Sequence, residues 1–291
     1  MAAKRSIGQW SDRLCASHRM HDPFLEQIDW RRPWLAQLLP AAQIVFRSSN
    51  WRDGLNALAC DLGLINHRAL PLRFVSQADL PEGVAYESHI SETGGVPTRD
   101  NLHDFFNALV WLTYPNIKIR LNAMQALEIE RRKQAPAVTR GKLRDAATIF
   151  DENAILLLTS NAAREEMLRR HAWKELFVER REHFQQDCRV CLFGHALMEK
   201  LVTPYKAITG HTWIVAAEPA VLTLPAAEIW AWLDVKVAAQ LQGGLDTSDF
   251  TPLPVLGVPG WWPRQDEDFY ADASVFRPPR QRLPQSSRAG G

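Results

Sequence analysis

Three stretches of the 291-residue chain carry side chains whose types and spacing suit chemistry. In TRDNLHDFFN, helical spacing puts Leu102, Phe105, Phe106 and Leu109 on one apolar stripe, with His103, Asn107 and Trp111 along its edge at i, i+4 and i+8. Polar groups at such a boundary can face a cleft, where His103 and its neighbour Asp104 would supply ligand or acid-base groups. They can equally make local hydrogen bonds at a half-buried edge. Thr98 or Asp100 is positioned to cap the helix start.

The second stretch is CRVCLFGHALMEKLV, a strand-like run feeding directly into a helix. Leu197, Met198, Leu201 and Val202 form the buried stripe, and His195 and Glu199 fall one turn apart beside it. Such a pair can bind a metal ion, or the carboxylate can orient the imidazole as a base. The pair also arises by chance, yet Gly-His after an apolar strand is where α/β and α+β sites often sit. His211, in TGHTW, follows a short connection and could complete a metal-ligand set with His195 and Glu199.

The third stretch, RGKLRDAATIFDEN, contributes Arg140, Arg144, Asp145, Asp151 and Glu152. Two β-prone runs flank Asp151-Glu152-Asn153, which predicts a hairpin turn. Asp151 and Glu152 then read either as catalytic carboxylates or as polar residues of an exposed turn. Between Asn116 and Arg144 eight Lys or Arg face two Glu, an excess that could hold a phosphate or carboxylate, or simply coat a solvated helix. Cys188 and Cys191 form one C-x-x-C; Cys15 and Cys60 stand alone, so no second pair completes a zinc site. Free, structural thiols are expected.

The elements that must position these groups are mostly helical. FLEQIDWRRPWLAQLL has helical spacing, and NWRDGLNALACDLG starts with an asparagine cap. LRFV and VAYESHI read as short strands separated by Asp79, Pro81 and Gly83. Two helices follow, divided by Pro115; NAAREEMLRRHAWKELFVERREHF is helical with a break near His171, HTWIVAA is a strand, and PAAEIWAWLDVKVAAQLQ is a helix. Prolines exclude long helices and central strands from Pro252 to Pro279. The aromatics there, Trp261, Trp262, Phe269, Tyr270 and Phe276, predict a segment packed on the body. The terminal QSSRAGG reads as disordered.

With 46% hydrophobic residues and 11 tryptophans the chain can bury a large core, which excludes general disorder. The formal net charge of +1 provides no global field for nucleic acid or an anionic membrane. No apolar run reaches the roughly eighteen residues of a membrane span, and the basic start has no apolar stretch behind it, so an unexported, cytoplasmic protein is expected. No linker divides the chain, which favours one domain over residues 1–291 with its core between about 20 and 280. Nothing in the sequence fixes the oligomeric state.

The stretches YESHISETGGVPTRDNLHDFFNALVWLTYPNIK, RDAATIFDENAILL, FGHALMEKLVTPYKAITGH and PVLGVPGWWP together resemble a proteobacterial family catalogued as domain of unknown function 3025. The resemblance implies one domain and a bacterial origin, and brings no activity, cofactor or catalytic residue. His103, Asp104, Asn107, Asp151, Glu152, His195 and Glu199 lie inside these stretches; the C-x-x-C sits at their margin.

The expected fold is α+β, mostly helical, with a small mixed sheet from the runs near residues 71–90, 147–159, 188–193 and 211–216. The favoured function is an enzyme with a polar pocket, a metal-dependent hydrolase in which His103, Asp104, His195 and Glu199 serve as ligands or acid-base groups. Neutral imidazoles with carboxylates suit a divalent transition metal such as Zn, Mn or Fe. An HD-type phosphohydrolase would also need an upstream His and a downstream Asp on helices, whereas His89 and Asp151 fall in strand-like or turn-like texture. The alternative is a non-catalytic protein whose Trp- and Pro-rich segment and Arg140/Arg144 patch hold an acidic ligand or partner.

Overall fold

The computed structural model describes residues 22–134 and 141–278, so Cys15, Arg140 and the terminal QSSRAGG fall outside it. The first helical stretch is broken into 3-10 turns at Leu25–Gln27 and Pro33–Leu35 before α1 (Leu39–Val45) and α2 (Trp51–Asp61). Pro33 and Pro40 cause the breaks, since each is tolerated only near a helix start. Asn50 caps α2 as expected, accepting from the Arg52 and Asp53 amides.

Strand β1 (Arg73–Ser76) pairs in parallel with β2 (Gly95–Thr98) in a separate two-stranded sheet. Between them VAYESHI is not a strand: it lies in α3 (Tyr86–Thr93) and the residues leading to it, with Ser88, His89, Ile90 and Ser91 buried. Gly94 ends the helix at φ +74°, where its Cα packs onto the Pro71 carbonyl and leaves no room for a Cβ.

Helix α4 (Leu102–Thr113) is buried from Asp104 to Leu112. Its cap is Asn101, accepting from the Asp104 amide at 2.8 Å, rather than Thr98 or Asp100. Helix α5 (Pro115–Gln134) starts at its proline, and Asp234 accepts from the Asn116 and Ile117 amides at 3.0 and 2.9 Å.

The predicted hairpin at Asp151–Asn153 is absent. Helix α6 (Lys142–Asn153) runs without a loop into β3 (Ala154–Thr159). Tertiary packing decides against the hairpin: Ala146, Ala147 and Phe150 are fully buried at helical spacing, and the Phe150 ring meets Phe193, Trp213 and Phe250 at 5.2–5.9 Å.

Helix α7 (Ala162–Arg169) ends where His171 adopts φ +55°; a π-helical turn and α8 (Arg181–Asp187) complete the segment broken near His171. Then follow β4 (Cys188–Leu192), α9 (His195–Lys200), β5 (Thr209–Ala216), α10 (Ala226–Gln240), β6 (Thr251–Pro254) and α11 (Glu267–Ala271). The four-stranded sheet has the order β4-β3-β5-β6, parallel only between β3 and β5. All six residues of central β3 are buried, whereas Pro252 and Pro254 occupy the edge strand that tolerates them. The fold is therefore α+β and mostly helical, with two small sheets where one was expected.

Cys188 and Cys191 are buried free thiols on β4, and Cys60 is an exposed one. Burial pushes the two strand thiols up to about 11 and 12. The proline-rich segment is packed as predicted: Phe269, Tyr270 and Phe276 are buried, and the Tyr270 hydroxyl donates to the Gly257 carbonyl at 2.8 Å. Trp261 and Trp262 of the same segment are partly buried against the core.

Candidate metal centre

The site forms where two chain junctions cross. After β4 the amides of Phe193 and Gly194 both donate to the Ala154 carbonyl, at 3.0 and 2.9 Å, pinning the chain over the α6–β3 junction. A Cβ on Gly194 would lie 2.5 Å from Asn153 Cα and Ala154 N, so only glycine permits this approach. The next residue, His195, is thereby brought beside Glu152 on the last turn of α6. Helix α9 also packs along α4, which supplies His103.

His195 Nε2 lies 3.1 Å from His103 Nε2 and 3.5 Å from Glu152 Oε2, and the third side of the triangle, from His103 Nε2 to Glu152 Oε2, is 3.9 Å. A point equidistant from these three atoms lies about 2 Å from each, the length of a zinc–nitrogen or zinc–oxygen bond. Among the described residues this is the group of His, Cys, Asp and Glu side chains close enough to hold a metal ion.

An outer contact prepares His103 as a donor, while His195 Nδ1 is buried without a hydrogen-bond partner. His103 Nδ1 meets Glu199 Oε2 at 2.9 Å. With Nδ1–H donating to the carboxylate, Nε2 of the neutral ring carries the lone pair. Burial pulls the His195 imidazole down to about 3, so it is neutral near pH 7. Burial and the neighbouring Asp151 push Glu152 up from the ordinary carboxylate range.

Behind the triangle lies a buried polar brace. Lys118 Nζ donates to Asp151 Oδ1 at 2.6 Å and Asn107 Oδ1 at 2.8 Å, and Asn107 Nδ2 donates to the Tyr86 hydroxyl at 3.0 Å. The ammonium also lies 5.2 Å from the Trp111 ring centre. Burial works to raise the Asp151 carboxyl, but the Lys118 charge and hydrogen bond bring it below its usual value. Asp151 is thus paired away from the triangle, and the last turn of α6 is held in place.

The candidates from the sequence divide accordingly. His103, Glu152 and His195 converge; Glu199 holds His103 from behind rather than facing the ion position. Asp151 and Asn107 belong to the brace. Asp104 does not join: Arg99 holds its carboxylate through Nε and Nη2, each at 3.0 Å, and through the backbone amide at 2.7 Å. Arg144 sits two turns before Asp151 on the same helix, where its charge acts on the Glu87 carboxyl, and it is not among the converging donors. His211 lies on β5 opposite Ala154 with its ring edge-on to Phe250, outside the cluster. His89 and Asp151 are both helical, contrary to expectation, yet neither joins His103 and Asp104 in one metal group.

Lys118 does not stand out in the sequence, where it is one of eight basic residues between Asn116 and Arg144. The available signal was periodic: Lys118, Asn122 and Gln125 recur at i, i+4 and i+7, and all three are buried.

The chain belongs to the family described as Protein of unknown function (DUF3025), which matches residues 72–280 and so contains every residue of the triangle and its brace. No curated protein and no solved structure matches. No helix among the described residues is long and apolar enough to cross a membrane.

Proposed function

We propose that the protein is a metal-dependent hydrolase whose ion is held by His103 Nε2, His195 Nε2 and a Glu152 carboxylate oxygen. The observation that carries this reading is the triangle of donor atoms, whose centre lies a bond length from all three. Two neutral imidazoles and one carboxylate suit Zn, Mn or Fe. Three protein ligands leave a coordination position open, as catalytic rather than structural zinc sites do. The side chains of His103, Glu152 and Glu199 are 30%, 31% and 41% exposed, so water and substrate have an approach from their side, while His195 at 4% closes the other. A bound ion would polarise a carbonyl or phosphoryl oxygen and activate water. Hydrolysis then needs no further co-reactant: water adds, the bond to the leaving group breaks, and the water's proton goes to that group.

Elemental analysis of the purified protein, followed by Co²⁺ titration of chelator-treated protein, tests the centre. Near-stoichiometric uptake is expected, with metal-dependent turnover of p-nitrophenyl acetate or p-nitrophenyl phosphate. A protein that carries no metal and takes up none would sink this reading.

A further inference from the structure

On another face, a groove of about 400 Å³ runs between α5 and α10, lined by Arg120 and Ala123 from the first and by Val235, Ala238 and Ala239 from the second, with His67 at its edge. That volume falls in the range of small-molecule sites. The groove is independent of the metal centre in residues and in chemistry.

Arg120 is its unbalanced charge. The Nε atom is inaccessible to solvent yet has no hydrogen-bond partner, and among the described residues the guanidinium has no ion-pair partner either. A half-buried cation left in this way forgoes both full hydration and a counter-ion. The nearby carboxylate of Asp234 does not answer it, because its oxygens are occupied by the Asn116 amide, the Asn116 side chain and the Ile117 amide. His67 Nε2 meets the Ser91 hydroxyl at 2.8 Å. When Ser91 donates to that nitrogen, the ring proton sits on Nδ1.

Ile119, Ala123, Val235, Ala238 and Ala239 form the apolar part of the lining, with the polar Asn116 and Gln242 beside them. Val235 is 62% exposed, and Leu127, one turn beyond Ala123 on the same face of α5, is 52% exposed. One guanidinium beside an apolar track, with no second arginine or lysine in the lining, suits a monoanion with an aliphatic tail better than a phosphate dianion.

We propose that this groove binds an aliphatic monocarboxylate, its carboxylate paired with Arg120 and its chain lying along Ala123, Ala238 and Val235. The small anionic ligand expected from the basic character of this region is thereby assigned to Arg120 rather than to Arg144.

Octanoate is the probe, titrated calorimetrically into the full chain with chelator present, so that the state of the metal centre cannot influence the result. Saturable one-to-one binding is expected, about tenfold weaker for hexanoate because two methylenes are lost. Arg120→Gln should weaken octanoate about tenfold, the loss of one charge-assisted pair, with partial rescue by Arg120→Lys. Ala123→Glu, which puts a like charge in the track, should weaken it independently, with circular dichroism and melting temperature reporting that each variant is folded. Absence of saturable binding would overturn the proposal. So would equal binding of octan-1-ol, or equal binding of octanoate by Arg120→Gln, since either would reduce the groove to an apolar surface. Acetate binding as tightly as octanoate would remove the aliphatic specificity and overturn it as well.

Discussion

Lys118 and Asp151 form a 2.6 Å ion pair with side chains only 4% and 11% exposed, one residue away from Glu152 of the candidate centre. A pair so placed is costly to break, because removing one member strands the other charge in the interior. Lys118→Met should therefore destabilise the fold by about 3–5 kcal/mol. Lys118→Met combined with Asp151→Asn should cost clearly less than the sum of the two single changes, read from urea unfolding. Additive losses would mean that the pair is not coupled.

His195→Ala should abolish metal uptake with little loss of folding, whereas Glu199→Gln should retain the ion and weaken it about 10–100-fold, as expected of a group that orients a ligand. Competition against a chromophoric chelator measures both. Unchanged affinity in Glu199→Gln would show that the His103–Glu199 contact contributes nothing to the centre.

Gly194→Ala forces a Cβ into the backbone of Asn153 and Ala154 at 2.5 Å. The expected cost is about 2 kcal/mol or more, with lowered metal affinity because α9 must move away from Glu152. Full stability in this variant would contradict the close approach on which the position of His195 depends.

Lys206 lies 2.8 Å from Asp272 and fastens the C-terminal segment to the body. The Lys206 and Ser274 hydrogen bonds hold the Asp272 carboxyl down at about 2 against an ordinary 3.8. The folded form thus loses its proton more readily than the unfolded one. Its contribution is complete above pH 4 or so and disappears as pH falls through 2. Asp272→Asn should flatten the stability profile over that interval alone. A profile identical to that of the unaltered chain would show that the fastening is absent.

Cys188→Ala with Cys191→Ala should leave any bound metal in place, because both thiols are buried on β4 and outside the donor triangle. Loss of stoichiometric metal in that double variant would give the pair a role that its position does not suggest.

The helical stretches with uniform 3.6-residue spacing, such as those around Leu102–Leu112 and Ile229–Val237, were legible in the sequence because one amphipathic or buried face defines them. ATIFDEN was not, since β-prone residues followed by Asp, Glu and Asn imitate a hairpin locally, and only the distant rings of Phe193, Trp213 and Phe250 favour the helix. That misreading left Glu152 open between a catalytic carboxylate and an exposed turn residue, whereas on the last turn of α6 it faces two histidines. His103 and His195 were visible as boundary residues of apolar stripes. Asp104 looked equivalent to them, because its commitment to Arg99 depends on the loop before α4 rather than on helical phase.

His103 and His195 are 92 residues apart in the chain, and each donor of the triangle stands on a helix, none on a loop. The donor set therefore has no counterpart in the unfolded chain, and none of its members needs a loop to be ordered when an ion arrives. A bound ion would then be linked to global unfolding: each tenfold excess of free ion over its dissociation constant should add about 1.4 kcal/mol to the unfolding free energy of the metal-free chain. A chelator should therefore remove only that increment and leave the chain folded, whereas a denaturant must overcome it together with the stability of the core.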